Sequence, residues 1–181
     1  MRRLFTDGVL VIRPLEQADR DDLFAAVRES IAEVSRWLPW CHPGYTPEES
    51  AMYIESARNA WAEESSFNFG IFAAGSGGHL SSVTVNHIVR QNRFANVGYW
   101  VRSGATKRGI ASRAVRLAAQ FAFEDLGLSR LEIAARPENL ASRRVAEKAG
   151  AQLEAIARNR IVMHGQAYAA AVYSLLPSDL K

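Results

Sequence analysis

Apolar and polar positions recur along this chain with two periods, and the switches between them mark its elements. Val9 to Arg13 reads as a first strand. Leu23, Val27 and Ile31 then recur at helical spacing, with Asp19 as the expected cap and Asp21 and Asp22 near the positive end of that helix. Thr46 and Glu49 form a capping box with Pro47 at the first helical position, and the helix they open runs to about Glu64, burying Ile54, Ala57 and Trp61. Phe67, Phe69 and Ile71 alternate with polar or small residues, as in a strand. Gly75 to Gly78 is a flexible connection to a third strand from about Leu80 to Val89, which turns at Gln91-Asn92.

The stretch that follows organises the rest. Asn96-Val97-Gly98-Tyr99-Trp100-Val101-Arg102 is a strand with Val97, Tyr99 and Val101 on one face and Asn96, Gly98 and Trp100 on the other. Thr106-Lys107-Arg108-Gly109-Ile110-Ala111 is a short basic loop and the opening of a long helix. Its apolar positions are Ile110, Ala114, Leu117, Ala118 and Phe121, and Gly127 is a natural stop. A strand from Arg130 to Ala135 leads through Pro137-Glu138-Asn139-Leu140-Ala141-Ser142 into a helix ending at Gly150. Leu153 to Met163 and Ala167 to Leu176 close the chain as a strand pair about His164-Gly165-Gln166, and Pro177 ends it. This order describes an α/β (α+β) arrangement around a mixed, mostly antiparallel sheet flanked by helices. Without an internal repeat, low-complexity tract or linker, residues 1–181 are expected to form a single domain.

Composition narrows the function classes. A chain of 181 residues buries roughly 70% of its unfolded surface and needs no disulfide or metal staple. Hydrophobic content of 48% and charged content of 23% are those of a soluble globular protein. The net charge of +3 suits an anionic ligand or a ribosomal partner, but with no dense Lys/Arg tract it does not argue for direct nucleic-acid binding. Cys41 is the only cysteine, which excludes an intrachain disulfide. No apolar core follows Met1-Arg2-Arg3 and no apolar run is long enough to span a bilayer, so the expected compartment is the cytoplasm, without a membrane partner. His42, His79, His87 and His164 show no ligand spacing, so no metal is expected.

The first chemistry to emerge is an anion site. At the mouth of the long helix the first-turn N–H groups have no helical partners and carry the positive end of the dipole. Gly109 lets a ligand approach the backbone, and Lys107 and Arg108 add positive charge, so a diphosphate suits the place. The chain has no Gly-x-x-x-x-Gly-Lys-Ser/Thr loop, and Gly75-Ser76-Gly77-Gly78 is followed by strand residues with Leu80 where a dinucleotide fingerprint needs its last glycine. A second region is Ser35 to Tyr45, where Trp37, Trp40 and Tyr45 either line a substrate groove or cover the edge of the core; Trp37 is expected to be core.

Val97-Gly98-Tyr99-Trp100-Val101, Arg108-Gly109-Ile110-Ala111, Asn139-x-x-Ser142 with Val145-Ala146-Glu147-Lys148-Ala149-Gly150, and Val172-Tyr173-Ser174-Leu175 stand in this order. With Arg36-Trp37-Leu38-Pro39-Trp40 upstream, the chain resembles the GNAT-type N-acetyltransferase superfamily, and within it the ribosomal-protein (RimJ/RimL-type) subfamily. The resemblance implies the GNAT-type acyl-CoA N-acyltransferase fold, acetyl-CoA as donor and a primary amine as acceptor. It implies that the organising strand and the next one splay apart and that the pantetheine arm lies between them. Carried over, backbone groups of Trp100, Val101 and Arg102 hold that arm, and backbone N–H groups of Arg108, Gly109, Ile110 and Ala111 hold the pyrophosphate. Thr106 stands where relatives often have Gln or Arg, a change that leaves backbone donation intact. An N–H near Val101 serves as oxyanion donor, Ser142 assists the departing thiolate, and Asn139 caps its helix and bonds the pantetheine.

The same resemblance leaves the base open. Relatives carry carboxylates where this chain has Asn96, Ile161 and Ala169, which leaves Glu132, His87 and His164 as candidates. An α-amine, with a pKa of about 8, is partly neutral at pH 7 whereas a lysine at about 10.4 is not, so an N-terminal acceptor needs a base least. The expected reaction is therefore acetylation of a protein α-amine, with a small amine (antibiotic or polyamine) as alternative acceptor and a non-catalytic acyl-CoA-binding regulator as a third reading. Aromatics near Trp40 offer a partner surface, compatible with a homodimer.

Overall fold

The computed structural model describes residues 4–180; Met1-Arg2-Arg3, read above for a leader, lie outside the described residues. The strands are β1 (Phe5–Thr6), β2 (Leu10–Arg13), β3 (Phe67–Ala73), β4 (His79–Val89), β5 (Phe94–Val101), β6 (Arg130–Ala135), β7 (Gln152–Met163) and β8 (Gln166–Leu175). The helices are α1 (Arg20–Val34), α2 (Pro47–Ala62), α3 (Ile110–Glu124) and α4 (Leu140–Ala149). Among the described residues the strands form one sheet in the order β1-β2-β3-β4-β5-β6-β8-β7. Every neighbouring pair is antiparallel except β5 and β6.

Strand alternation divides the side chains between two layers. Phe67, Phe69 and Ile71 of β3, Val83 and Val85 of β4 and Val97 of β5 pack with α3, whose Phe121 ring lies 5.0 Å from Phe67, 5.2 Å from Phe69 and 5.6 Å from Phe5. On the opposite face Phe72 joins Leu15, Leu23, Val27, Ile54 and Tyr45 beneath α1 and α2. Ser82, Thr84 and Asn86 point to this second layer and line a cavity between the sheet and these helices.

The expected elements are present to within a few residues, and their starts have the expected physics. Glu49 N–H donates to Thr46 Oγ1 at 3.3 Å while Thr46 N–H donates to Glu49 Oε2 at 2.8 Å, which closes the capping box of α2. Asp19 stands at the start of α1, but its carboxylate caps nothing there: it takes the Arg13 guanidinium at 2.7 and 2.8 Å and the Glu16 N–H at 2.8 Å. Trp37 is not core. It is half-buried outside both clusters, with the Arg136 guanidinium 5.8 Å from its ring. β1 has no counterpart in the sequence reading, because two residues show no period.

His79 is 1% exposed, both its ring nitrogens lack hydrogen-bond partners, and burial pushes its pKa down to about 4. The nearby Asp19 carboxylate acts against that shift and the Arg102 guanidinium with it, but neither outweighs the loss of hydration. The folded chain therefore keeps His79 neutral while the unfolded chain takes up a proton below about pH 6.5. Stability is complete above that value, falls as the pH drops toward 4, and the total loss is roughly 3 kcal/mol. Denaturant titrations from pH 7 to pH 4 should show this slope in the wild type and a much flatter one in His79→Leu.

Candidate active site

The site begins where the sheet splits. β5 and β6 pair only at Phe94↔Arg130, Ala95↔Leu131 and Asn96↔Glu132. Beyond these, β5 continues on β4 from Val97 to Val101, while β6 continues on β8 from Ile133 to Ala135. The inner edge of β5 is therefore left without a neighbouring strand. Arg102 N–H donates to the Leu80 carbonyl at 3.1 Å, which fixes the direction of alternate peptide groups. Those of Trp100 and Arg102 turn onto β4, and those of Val97, Tyr99 and Val101 face the gap. Of the expected Trp100, Val101 and Arg102, only Val101 thus presents its peptide groups there. The Arg102 side chain is also committed, to the Glu29 carboxylate at 3.0 Å and the His79 carbonyl at 3.1 Å.

At the same end of β5 the chain turns into α3. Lys107 and Gly109 both adopt left-handed backbone, with φ of 64° and 74°. Gly109 is the cap residue and has no side chain to offer, so the first-turn N–H groups of Ile110, Ala111 and Ser112 receive no side-chain cap. The first helical bond runs from Arg113 N–H to the Gly109 carbonyl at 3.1 Å. Lys107 and Arg108 are exposed beside these donors. The turn brings together Arg108, Gly109, Ile110 and Ala111, the expected anion-binding set.

The far side of the split is closed by α4. Asn139 Oδ1 accepts from Ser142 N–H at 3.1 Å and so caps the helix. Tyr99 reaches from β5 to the same turn: its hydroxyl donates to the Ser142 carbonyl at 2.9 Å and lies 3.0 Å from Ser142 Oγ. With the Tyr99 proton on the carbonyl, Ser142 Oγ–H is the donor of that second bond. Burial holds the Tyr99 hydroxyl well above the ordinary phenol range, so it stays protonated. Tyr99, which the sequence reading treated only as an apolar strand position, thus fixes the Ser142 side chain.

On the other face, a cavity of about 650 Å³ lies under α1 and α2 and reaches Gly98, Tyr99 and Trp100. Its floor is uncharged. Asn68, Thr84 and Gly98 stand in one cross-strand row, with Thr84 Oγ1 donating to Asn68 Oδ1 at 2.9 Å, and a Cβ at Gly98 would meet nothing within 4 Å. Its wall is aromatic: Trp40 packs edge-on against Trp100 at 5.7 Å and Tyr45 at 6.3 Å. Trp40 and Tyr45 therefore line a groove and Trp37 does not. Burial pushes Tyr53 up to about 12 and raises Tyr45 as well.

None of the three bases considered from sequence lines this cavity. Glu132 is bridged by Arg130 at 3.0 Å and Arg160 at 3.4 Å. His87 bonds Asn86 Oδ1 at 2.9 Å from an exposed position, and His164 sits exposed in the β7–β8 turn. The ionisable pair that does line it is His42 and Glu49, 2.9 Å apart. The capping box had already placed Glu49 at the mouth of α2; the missing signal was that the loop after Trp40 passes in front of it.

A split sheet, an uncapped helix mouth beside the free strand edge and a cavity meeting that edge fit an extended ligand with an anionic end, as in acyl-CoA-dependent transferases. The chain belongs to the GNAT acetyltransferase family, whose domain model matches residues 10–152, and it is an N-acetyltransferase. It is similar to the Bacillus subtilis (strain 168) protein YjcK, described as an N-acetyltransferase, with 31% identity covering 86% of this chain and 87% of that one. YdaF of the same organism, described as a ribosomal N-acetyltransferase, is 28% identical over 94% of this chain and 92% of its own. A Vibrio cholerae structure described as a ribosomal-protein-serine acetyltransferase superposes with a TM-score of 0.83 at 26% identity, covering 96% of this chain and 97% of that one.

The Tyr99 clamp predicts a measurable contribution. Tyr99→Phe keeps the ring but loses both bonds to Ser142, and urea unfolding should show about 1–2 kcal/mol lower stability. A value within error of the wild type would mean that the hydroxyl does not hold α4.

Proposed function

We propose that the chain transfers the acetyl group of acetyl-CoA directly to the α-amine of a protein or peptide N-terminus. The observation that carries this reading is the meeting of the free β5 edge with an open, aromatic-walled cavity whose floor bears no charge. A cavity of about 650 Å³ accommodates the tip of a peptide, and its one carboxylate, Glu49, is occupied by His42 and the Thr46 N–H. A polyamine-type acceptor calls for several free carboxylates, so the small-amine reading is second. The similarity to ribosomal-protein acetyltransferases supports a protein acceptor.

The roles follow from where the groups stand. Peptide groups of Tyr99 and Val101 extend the sheet to the pantetheine arm, and the N–H groups of Arg108, Gly109, Ile110 and Ala111 take the pyrophosphate. Val101 N–H polarises the thioester carbonyl. The neutral amine attacks that carbon, the C–N bond forms, the C–S bond breaks, and the Ser142 hydroxyl turns its proton from Tyr99 Oη to the sulfur to stabilise the leaving thiolate. Asn139 holds the Ser142 turn in place.

Thiol release from acetyl-CoA tests the acceptor, using peptides with free N-termini, the same peptides blocked, lysine peptides and small amines. Turnover confined to free N-termini is expected; turnover with small amines alone overturns the peptide reading, and tight acetyl-CoA binding with silence on every amine overturns catalysis. Ser142→Ala should lower kcat on the order of 10²-fold with acetyl-CoA binding intact. Gly109→Ala puts a side chain on a left-handed residue at the anion site, so it should cost about 1 kcal/mol in stability and raise the acetyl-CoA Kd. Calorimetric titration checks the latter.

A further inference from the structure

We propose that His42, oriented by Glu49, is the proton acceptor that converts the acceptor's ammonium to the reactive amine. This rests on the acetyl-transfer reading above and supplies the base that the sequence left open.

Elimination among the cavity-lining groups leads there. The titratable side chains of the lining are His42, Tyr45, Glu49, Tyr53 and Tyr99. Burial raises all three phenols, which hold their protons across the neutral range. Glu49 is held ionised, below the usual carboxylate range, by its bonds to His42 and the Thr46 N–H. An ionised carboxylate only accepts, so His42 Nε2 carries the proton of the 2.9 Å bond, and in the neutral imidazole Nδ1 is then the nitrogen with a lone pair. Among the described residues Nδ1 has no hydrogen-bond partner. This is the base-and-orienter arrangement that activates nucleophiles on unrelated folds.

The surroundings fit a proton carrier. The side chains of His42 and Glu49 are 45% and 32% exposed, so a proton taken inside can pass to bulk water. The other ionisable groups around His42 are Tyr45, whose ring is 6.1 Å away, the preceding Cys41, and Arg28, which donates to the carbonyl of Pro43. Tyr45 and Cys41 are neutral, since burial raises both. His42, nearly half exposed, is linked to Trp100 through successive ring contacts of Tyr45 and Trp40, which makes it a rim group of the cavity. Its proton therefore crosses by water, and His42 acts before the attack. The protons balance: the ammonium gives one to His42 and thence to solvent, and the second, lost as the C–N bond is made, ends on the CoA sulfur.

The test is the pH dependence of kcat/KM from pH 5.5 to pH 9.5 for the wild type, His42→Gln and Glu49→Gln, with a free-N-terminal peptide that the wild type acetylates. Expected is a wild-type profile that stays above that of His42→Gln below the acceptor amine's own pKa. At pH 7 His42→Gln should fall on the order of 10²-fold, the deficit closing as the pH passes the amine's own pKa of about 8. Glu49→Gln keeps the capping box, because Gln serves at that position, and should keep its Tm while losing activity in the same pH-dependent manner. A deficit equal at every pH with a raised KM would make the pair a contact for the acceptor and overturn the proposal; an unchanged His42→Gln profile would also overturn it. Failure of the wild type on every amine, with acetyl-CoA bound, would sink the transfer reading itself, a result distinct from the other two.

Discussion

The interruption of one ladder governs this molecule. Parallel pairing of β5 and β6 stops after three residue pairs, and from Val97 onward β5 has a partner on one side only. Unpaired strand edges invite association, and a buried peptide group without a partner is costly. Among the described residues no strand pairs with this edge, and it borders both the helix-mouth donors and the cavity. An extended ligand with its own amide groups can satisfy the strand edge, and the α3 mouth beside it suits an anionic end. One omission in the sheet thereby sets both the direction and the polarity of what binds.

Holding a split open requires something that bridges it, and Tyr99 does so. It is the strand residue whose side chain crosses to the first turn of α4, and its two contacts there are with Ser142. The same peptide unit that faces the gap therefore belongs to the residue that positions the hydroxyl on the far side. Asn139 completes the arrangement by pinning the Ser142 N–H. Any shift of β5 relative to α4 moves the gap-facing peptide groups and the Ser142 hydroxyl together, so their relative geometry is set by a few hydrogen bonds.

What the sequence disclosed follows from which interactions are local. The alternation of Val97, Tyr99 and Val101 against Gly98 and Trp100, the helix start at Gly109 and the Thr46–Glu49 capping box are readable because each depends on residues within a turn of one another. The inward-facing peptide groups were not readable, because their direction depends on a bond between Arg102 and Leu80, which lie on different strands. Trp37 and Trp40 illustrate the same limit. In a loop interrupted by Pro39 there is no period to say which ring meets the sheet, and contact with Trp100 put Trp40 in the wall while Trp37 went under Arg136. Asp19 looked like a cap, but Arg13 claimed its carboxylate from a neighbouring strand.

The pairing of His42 with Glu49 joins these observations. Glu49 is needed at the start of α2 whatever the protein does, since its carboxylate satisfies the Thr46 N–H. A carboxylate has a second oxygen, and at this position it lies on the rim of the cavity, so a loop histidine that reaches it acquires an orienter without adding another buried charge. Asn96, Ile161 and Ala169 stand where the family resemblance leads one to expect carboxylates, and the cavity floor carries no charge. With the ionisable pair on the rim and not on the floor, the proposed proton acceptor is separate from the surface proposed to receive a peptide end. An uncharged, aromatic-walled cavity with its proton acceptor at the entrance can seat a neutral amine without competing for it by salt bridge. That arrangement favours an acceptor selected by shape and hydrogen bonding over one selected by charge.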